Sequence, residues 1–178
     1  LSHIWYMTFP DNNRSPIIIT DGALNISPNV ETKKHIINNV IEFTLKLPNF
    51  DPKIAILSAT EEILPQMQSS VDAKDLVEWS RIEHPTMHIQ GPFAFDNAIS
   101  FDAAKIKGIS NSVAGNANVI VVPNVETGNS LVKIMVNLMN CTAGGFVTGG
   151  ISPVVITSRS DSASSRLSSI VNAVLSTL

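Results

Sequence analysis

Ser158 and Arg159, with Asp161 two residues further on, form the group best suited to chemistry in this chain. Arg carries a permanent charge on a planar fork that grips two oxygens of a phosphate. Ser can donate to a developing oxyanion or to a thiolate. Asp161 is the nearest carboxylate that could take a proton. The group follows the apolar run Pro153 to Thr157 and precedes a helical pattern, so the free N–H groups of a helix start would face the same anion. The plainer reading is a strand-to-helix turn capped by Ser160, Asp161 or Ser162.

Two further segments share this layout. Gly91-Pro92-Phe93-Ala94-Phe95-Asp96-Asn97 follows an apolar run. Gly lets backbone approach a ligand and Pro fixes the turn, so Gly91 and Pro92 are candidate substrate contacts. Asp96 and Asn97 read as caps of the next helix. Pro123-Asn124-Val125-Glu126-Thr127-Gly128-Asn129 follows the run Asn118 to Val122, and Lys133 lies one helical turn beyond. Asn129 and Lys133 suit a phosphate-bearing ligand, and equally suit a capped helix start with a solvent-facing Lys. Loops beyond the carboxyl ends of strands are where open α/β sheets hold ligands.

The elements that position these loops alternate between short apolar runs and helical patterns, the sequence form of a mostly parallel sheet flanked by helices. Strands are expected at His3 to Met7, Pro16 to Thr20, Lys53 to Ser58, Thr86 to Ile89, Asn118 to Val122, Gly145 to Thr148 and Pro153 to Thr157. They are rich in Ile and Val, as strands buried on both faces should be. Ser27-Pro28-Asn29 opens a helix whose inner face is Ile36, Ile37, Val40, Ile41, Thr44 and Leu45. A helix over Val71 to Arg81 turns Leu76, Val77 and Ser80 inward. A short one from Asp102 to Lys107 stops at Gly108. Thr127 or Asn129 starts a helix with Leu131, Ile134, Met135, Leu138 and Met139 on its core face. The last spans Ala163 to Leu178, with Leu167, Ile170, Val171, Val174 and Leu175 as its apolar face.

The chain has 178 residues and a net charge of −3, enough for one core and unsuited to a nucleic-acid partner. No apolar run is long enough to cross a bilayer, and the start, Leu1 to Met7, lacks the form of a signal peptide. Cys141 is the only cysteine, which excludes an internal disulfide and fits a cytoplasmic protein. The four histidines show no metal spacing, and no metal site is expected. Gly-x-Ser-x-Gly is absent, so a serine hydrolase has no motif support.

The three loops together, in this order, resemble those of the phosphate acetyl/butyryltransferase family, closer to its butyryl branch. The resemblance implies transfer of an acyl group between phosphate and coenzyme A. Acyl phosphate, or phosphate and acyl-coenzyme A, would be the small-molecule partners. Coenzyme A would be a substrate, and no cofactor is implied. It also implies a two-domain fold of the isocitrate/isopropylmalate dehydrogenase-like type, with the site in the cleft between domains. Residues 1–150 would be the second domain. Residues 151–178 would be a return strand and helix of the first domain, whose N-terminal part is missing. An incomplete fragment with low turnover, working as a homodimer, is the expectation. The alternative is a non-catalytic oligomerisation or binding domain left from such an enzyme. Acetyl-branch members place an Asp seven residues after the active-site Ser. Here that position is Ser165, which speaks against their route of thiol deprotonation. The metal-dependent decarboxylating dehydrogenases share the architecture, but their aspartate cluster has no match here.

Overall fold

The computed structural model describes residues 1–11, 14–159 and 161–178. Ser160, one of the expected caps, lies outside the described residues. Six strands, β1 Ser2–Thr8, β2 Ile17–Thr20, β3 Lys53–Leu57, β4 His88–Phe93, β5 Val119–Val121 and β6 Thr142–Thr148, form one sheet in the order β4-β3-β5-β2-β1-β6. β4, β3, β5 and β2 pair in parallel. β1 runs antiparallel to both β2 and β6. The helices are α1 Val30–Thr44, α2 Gln68–Glu83, α3 Phe95–Ile99, α4 Phe101–Ile106, α5 Val125–Leu138 and α6 Ala163–Leu175.

Burial on both faces explains the Ile- and Val-rich strands. Ile18, Ile54 and Val119 point to one side, where they meet Ile36 and Val40 of α1, Leu76 of α2 and Ala173 of α6. Their chain neighbours Ile19, Ala55 and Ile120 point to the other side, against Ala98 of α3, Ala104 of α4, and Val132 and Met135 of α5. The result is a three-layer α/β/α body, as the alternation of patterns predicts. Asn29 caps α1 by accepting from Thr32 N at 2.9 Å. Gly108 adopts φ +69° just past α4, as a C-terminal glycine should.

Several expectations give way. Pro153 to Thr157 is not a strand: Val154 makes a single antiparallel bridge to Val147, and the segment otherwise runs irregularly. β4 continues through Gly91-Pro92, joined by a cis bond, to Phe93. Proline lacks the N–H that a ladder needs. Here the β3–β4 register shifts between Ala55 and Leu57, so the strand passes its proline and resumes pairing at Phe93. Asp96 and Asn97 are not caps but lie inside α3, whose N-cap is Ala94. α5 starts earlier than expected, with Asn124 as its cap. It buries Gly128, Val132 and Met135 and leaves Ile134 and Leu138 exposed. Leu45 is exposed just past the end of α1.

α6 departs most. Its sheet-facing residues are Ser165, Ser169, Asn172 and Ala173, while Leu167, Ile170, Val171 and Val174 face outward. The cause lies in β6. A Cβ on Gly144 would collide with Ser168 and Asn172, so the helix lies too close to this strand for large side chains. Ser169 Oγ accepts from Gly145 N at 2.9 Å, and Asn172 donates to Gly144 O at 3.4 Å. Small polar residues thus fit a glycine-lined surface. Leu175 alone of the expected face packs partly onto the core.

Candidate active site

β2 and β5 are neighbours, and the helices that follow them leave toward opposite faces of the sheet: α1 joins one core, α5 the other. Such a divergence opens a crevice at the carboxyl ends of the two strands. The loops there are tied closely. Val122 N donates to Thr20 O at 2.8 Å, and Val125 N to Ile26 O at 3.0 Å. Gly22 and Gly128 touch through backbone, since a Cβ on Gly128 would lie 2.6 Å from Gly22 Cα. Only glycine permits this approach of the β2 loop to the first turn of α5.

Asp21, just after β2, is 2% exposed. Its carboxylate accepts from the N–H groups of Ala23, Leu24 and Asn25, at 3.0, 2.9 and 3.3 Å, and from the Asn25 amide at 2.6 Å. This carboxylate builds the loop. Burial holds the pKa of nearby His3 down to about 4, with the charge of Asp21 pulling weakly the other way. His3 is therefore neutral at physiological pH and belongs to the core, its ring 4.4 Å from that of Trp5.

A cleft of about 660 Å³ lies against the starts of α1 and α2 and the loop after β5. Asn29, Gln68, Ser69, Pro123 and Asn124 line it, with Lys33 and Asp72 in its wall. Asn124 Oδ1 accepts from Thr127 N at 3.0 Å and from Thr127 Oγ1 at 2.7 Å. Lys33 Nζ meets Asp72 Oδ2 at 2.6 Å with both side chains almost wholly buried. Gln68 donates to the other carboxylate oxygen at 2.7 Å. Three helix beginnings converging on one cleft favour an anionic ligand.

The residues expected to do chemistry are not gathered at this cleft; none of the seven lines it. Ser158 and Arg159 lie beyond β6. Asp161 Oδ2 accepts from Ser158 N at 2.6 Å, and Asp161 N donates to Ser158 O at 3.1 Å. Asp161 thus shapes the turn that presents the pair. Ser162 caps α6, accepting from Ser165 N at 3.1 Å. Arg159 is exposed, and among the described residues it makes no ion pair. Gly91 presses on β3, where a Cβ would lie 2.8 Å from Ile56 Cβ, and Pro92 is buried. Asn129 and Lys133 are exposed one turn apart on α5.

Sequence reading missed Lys33, Gln68, Asp72 and Asp21. One signal was available. Lys33 stands three and four residues before Ile36 and Ile37, and Asp72 four before Leu76. Both charges therefore fall on faces that periodicity assigns to the core.

The phosphate acetyl/butaryl transferase family matches residues 1–177. The chain is 40% identical to a phosphate acetyltransferase of Rhizobium meliloti, over 98% of its own length and 55% of the relative's. It is 37% identical to a probable phosphate butyryltransferase of Bacillus subtilis, over 98% of its own length and 58% of the relative's. Among solved structures, a branched-chain phosphotransacylase from Enterococcus faecalis superposes with a TM-score of 0.86 at 35% identity, covering 98% of this chain and 62% of that one. The chain thus spans a little over half the length of these relatives. Identities of 40% and 37% do not separate the acetyl from the butyryl branch.

Proposed function

The chain belongs to the phosphate acetyl/butaryl transferase family, and on that premise we propose that it serves the transfer of an acyl group between phosphate and coenzyme A. The observation that carries this reading is the match over residues 1–177, which takes in all three loops in order. The thiolate of coenzyme A attacks the acyl carbon, the bond to the phosphate oxygen breaks, and phosphate leaves. Arg159 and the N–H groups at the start of α6 hold the phosphate. The Ser158 hydroxyl donates to the thiolate or to the developing oxyanion. Asp161 is the carboxylate closest to the pair and takes the thiol proton. Gly91, Pro92, Asn129 and Lys133 belong to the substrate side. Coenzyme A enters as a substrate, and the transfer changes no oxidation state, so no redox cofactor is called for. Residues 1–150 form one wall of the cleft, and residues 151–178, whose α6 packs on β6 of the same body, carry Ser158 and Arg159.

The chain acts as a homodimer in the cytoplasm. The outward apolar face of α6 supports association. Among the described residues, no helix is long and apolar enough to cross a membrane. Calorimetry tests the assignment. A charge-assisted contact from Arg159 is worth roughly 1.5–3 kcal/mol, so Arg159→Ala should weaken phosphate or coenzyme A binding by about tenfold or more with the fold intact. Equal affinity in variant and parent would remove Arg159 from the site.

A further inference from the structure

We propose that a second groove, at the amino-terminal ends of β2, β3 and β5, binds an amphipathic anion: an apolar chain of medium length ending in a carboxylate. The groove encloses about 600 Å³, within the range of small-molecule sites. It lies at the opposite edge of the parallel strands from the cleft described above, against Ile17, Lys53 and Asn118.

Its walls are α3 and the second half of α5. Phe95, Ile99, Leu131, Ile134, Met135 and Met139 supply an apolar lining. Ile134 is 48% exposed, and Ile99 and Met139 are each 38% exposed. These side chains share one concavity rather than being scattered singly, which marks a site for an apolar ligand. The two methionines give the wall an adaptable shape.

The polar groups decide the head group. Asn118 accepts from Lys53 N at 2.7 Å and donates to Asp51 O at 2.8 Å. Asn116 donates to Ala114 O at 3.3 Å. Asn118 thus ties the starts of β3 and β5 together and forms part of the groove floor. Two cations remain. Arg14 lies with its guanidinium carbon 5.5 Å from the centre of the Phe9 ring. Lys53 faces Asp51 only at 3.9 Å and is a third exposed. An apolar floor beside two cations favours a ligand with an apolar chain and a single anionic group. A carboxylate matches the Arg fork in two-pronged geometry.

Octanoate is the probe, read by NMR of the chain labelled on its methionine methyls. Met135 and Met139 line the groove, whereas Met67 and Met87 lie elsewhere. Saturable shifts of Met135 and Met139 are expected, with Met67 and Met87 unmoved and no displacement by inorganic phosphate. Octanol should bind about tenfold more weakly, and a double Arg14→Gln, Lys53→Gln variant should lose a similar factor for octanoate. Ile134→Asp, folded by circular dichroism, should not bind. Unmoved Met135 and Met139 signals at millimolar octanoate would overturn the proposal, as would equal affinity for octanol. So would an octanoate affinity that falls as protein concentration rises, since a second copy of the chain would then be the occupant.

Discussion

Replacing Asp72 by alanine should unfold this protein more readily than any exposed charge change. Lys33 Nζ and Asp72 Oδ2 are 2.6 Å apart, with the side chains 5% and 8% exposed. Gln68 occupies the second carboxylate oxygen at 2.7 Å. Losing Asp72 leaves a buried ammonium without its counter-charge near the start of α1, where the helix dipole also disfavours a cation. Breaking a buried pair from one side costs about 3–5 kcal/mol. For a chain of this size each kcal/mol lowers Tm by about 2–4 °C, so a drop of about 6–20 °C is expected. Urea unfolding followed by circular dichroism gives the same loss independently of Tm. The double variant Lys33→Met, Asp72→Leu removes both charges and keeps the volume. It should recover most of the stability, because burying two ions costs about as much as their attraction returns. A loss below about 1 kcal/mol for Asp72→Ala, the value of an exposed pair, would refute the reasoning. So would a double variant no better than the single one, which would mean that packing rather than charge holds α1 to α2.

Two further outcomes follow from the geometry. Gly144→Val places a side chain where Ser168 and Asn172 sit, so α6 should lift from β6 and become cleavable by protease while the rest of the sheet stays resistant. Unchanged protection of α6 in a folded variant would show that the helix is not seated there. His3 has a pKa of about 4 when folded against 6.5 when free, so the unfolded chain binds more protons between those values. Stability should therefore be constant above about pH 6.5 and fall as pH drops toward 4, by about 3 kcal/mol in total. His3→Gln should flatten that part of the pH profile, and an unchanged slope would assign the loss to other groups.

The sheet and its helices were legible because burial on both faces leaves a plain mark: runs such as Ile54-Ala55-Ile56-Leu57 and Val119-Ile120-Val121 have no solvent-facing member to interrupt them. The starts of α1 and α6 were legible from their capping side chains, Asn29 and Ser162, whereas that of α5 was not, since its cap Asn124 precedes the expected start. The strand through Pro92 was not, because a proline reads as a stop unless the register shift beside it is known. Nor was the cleft. Lys33 and Asp72 are 39 residues apart, and each alone reads as a surface charge. Only their shared placement on buried faces suggests that one answers the other.

α6 marks the limit of periodicity as evidence. A stripe of Leu, Ile and Val names the most apolar face of a helix, but what a helix turns toward its sheet also depends on what the sheet offers. β6 offers Gly144, whose bare backbone admits a close approach of Ser168 and Asn172 that a larger side chain on the strand would block. Hydrogen bonds from Gly145 to Ser169 and from Asn172 to Gly144 then satisfy groups that an apolar contact would leave unpaired. The larger side chains are left outward by that choice. The feature that foretold it was Gly144 set in a strand, matched by small polar residues at spacings of four and three on the last helix. The same seating places the turn bearing Ser158 and Arg159 just before a helix start, and Asp161 closes that turn with its own carboxylate. The chemistry proposed for Arg159 therefore depends on a packing contact that the apolar stripe conceals and the glycines disclose.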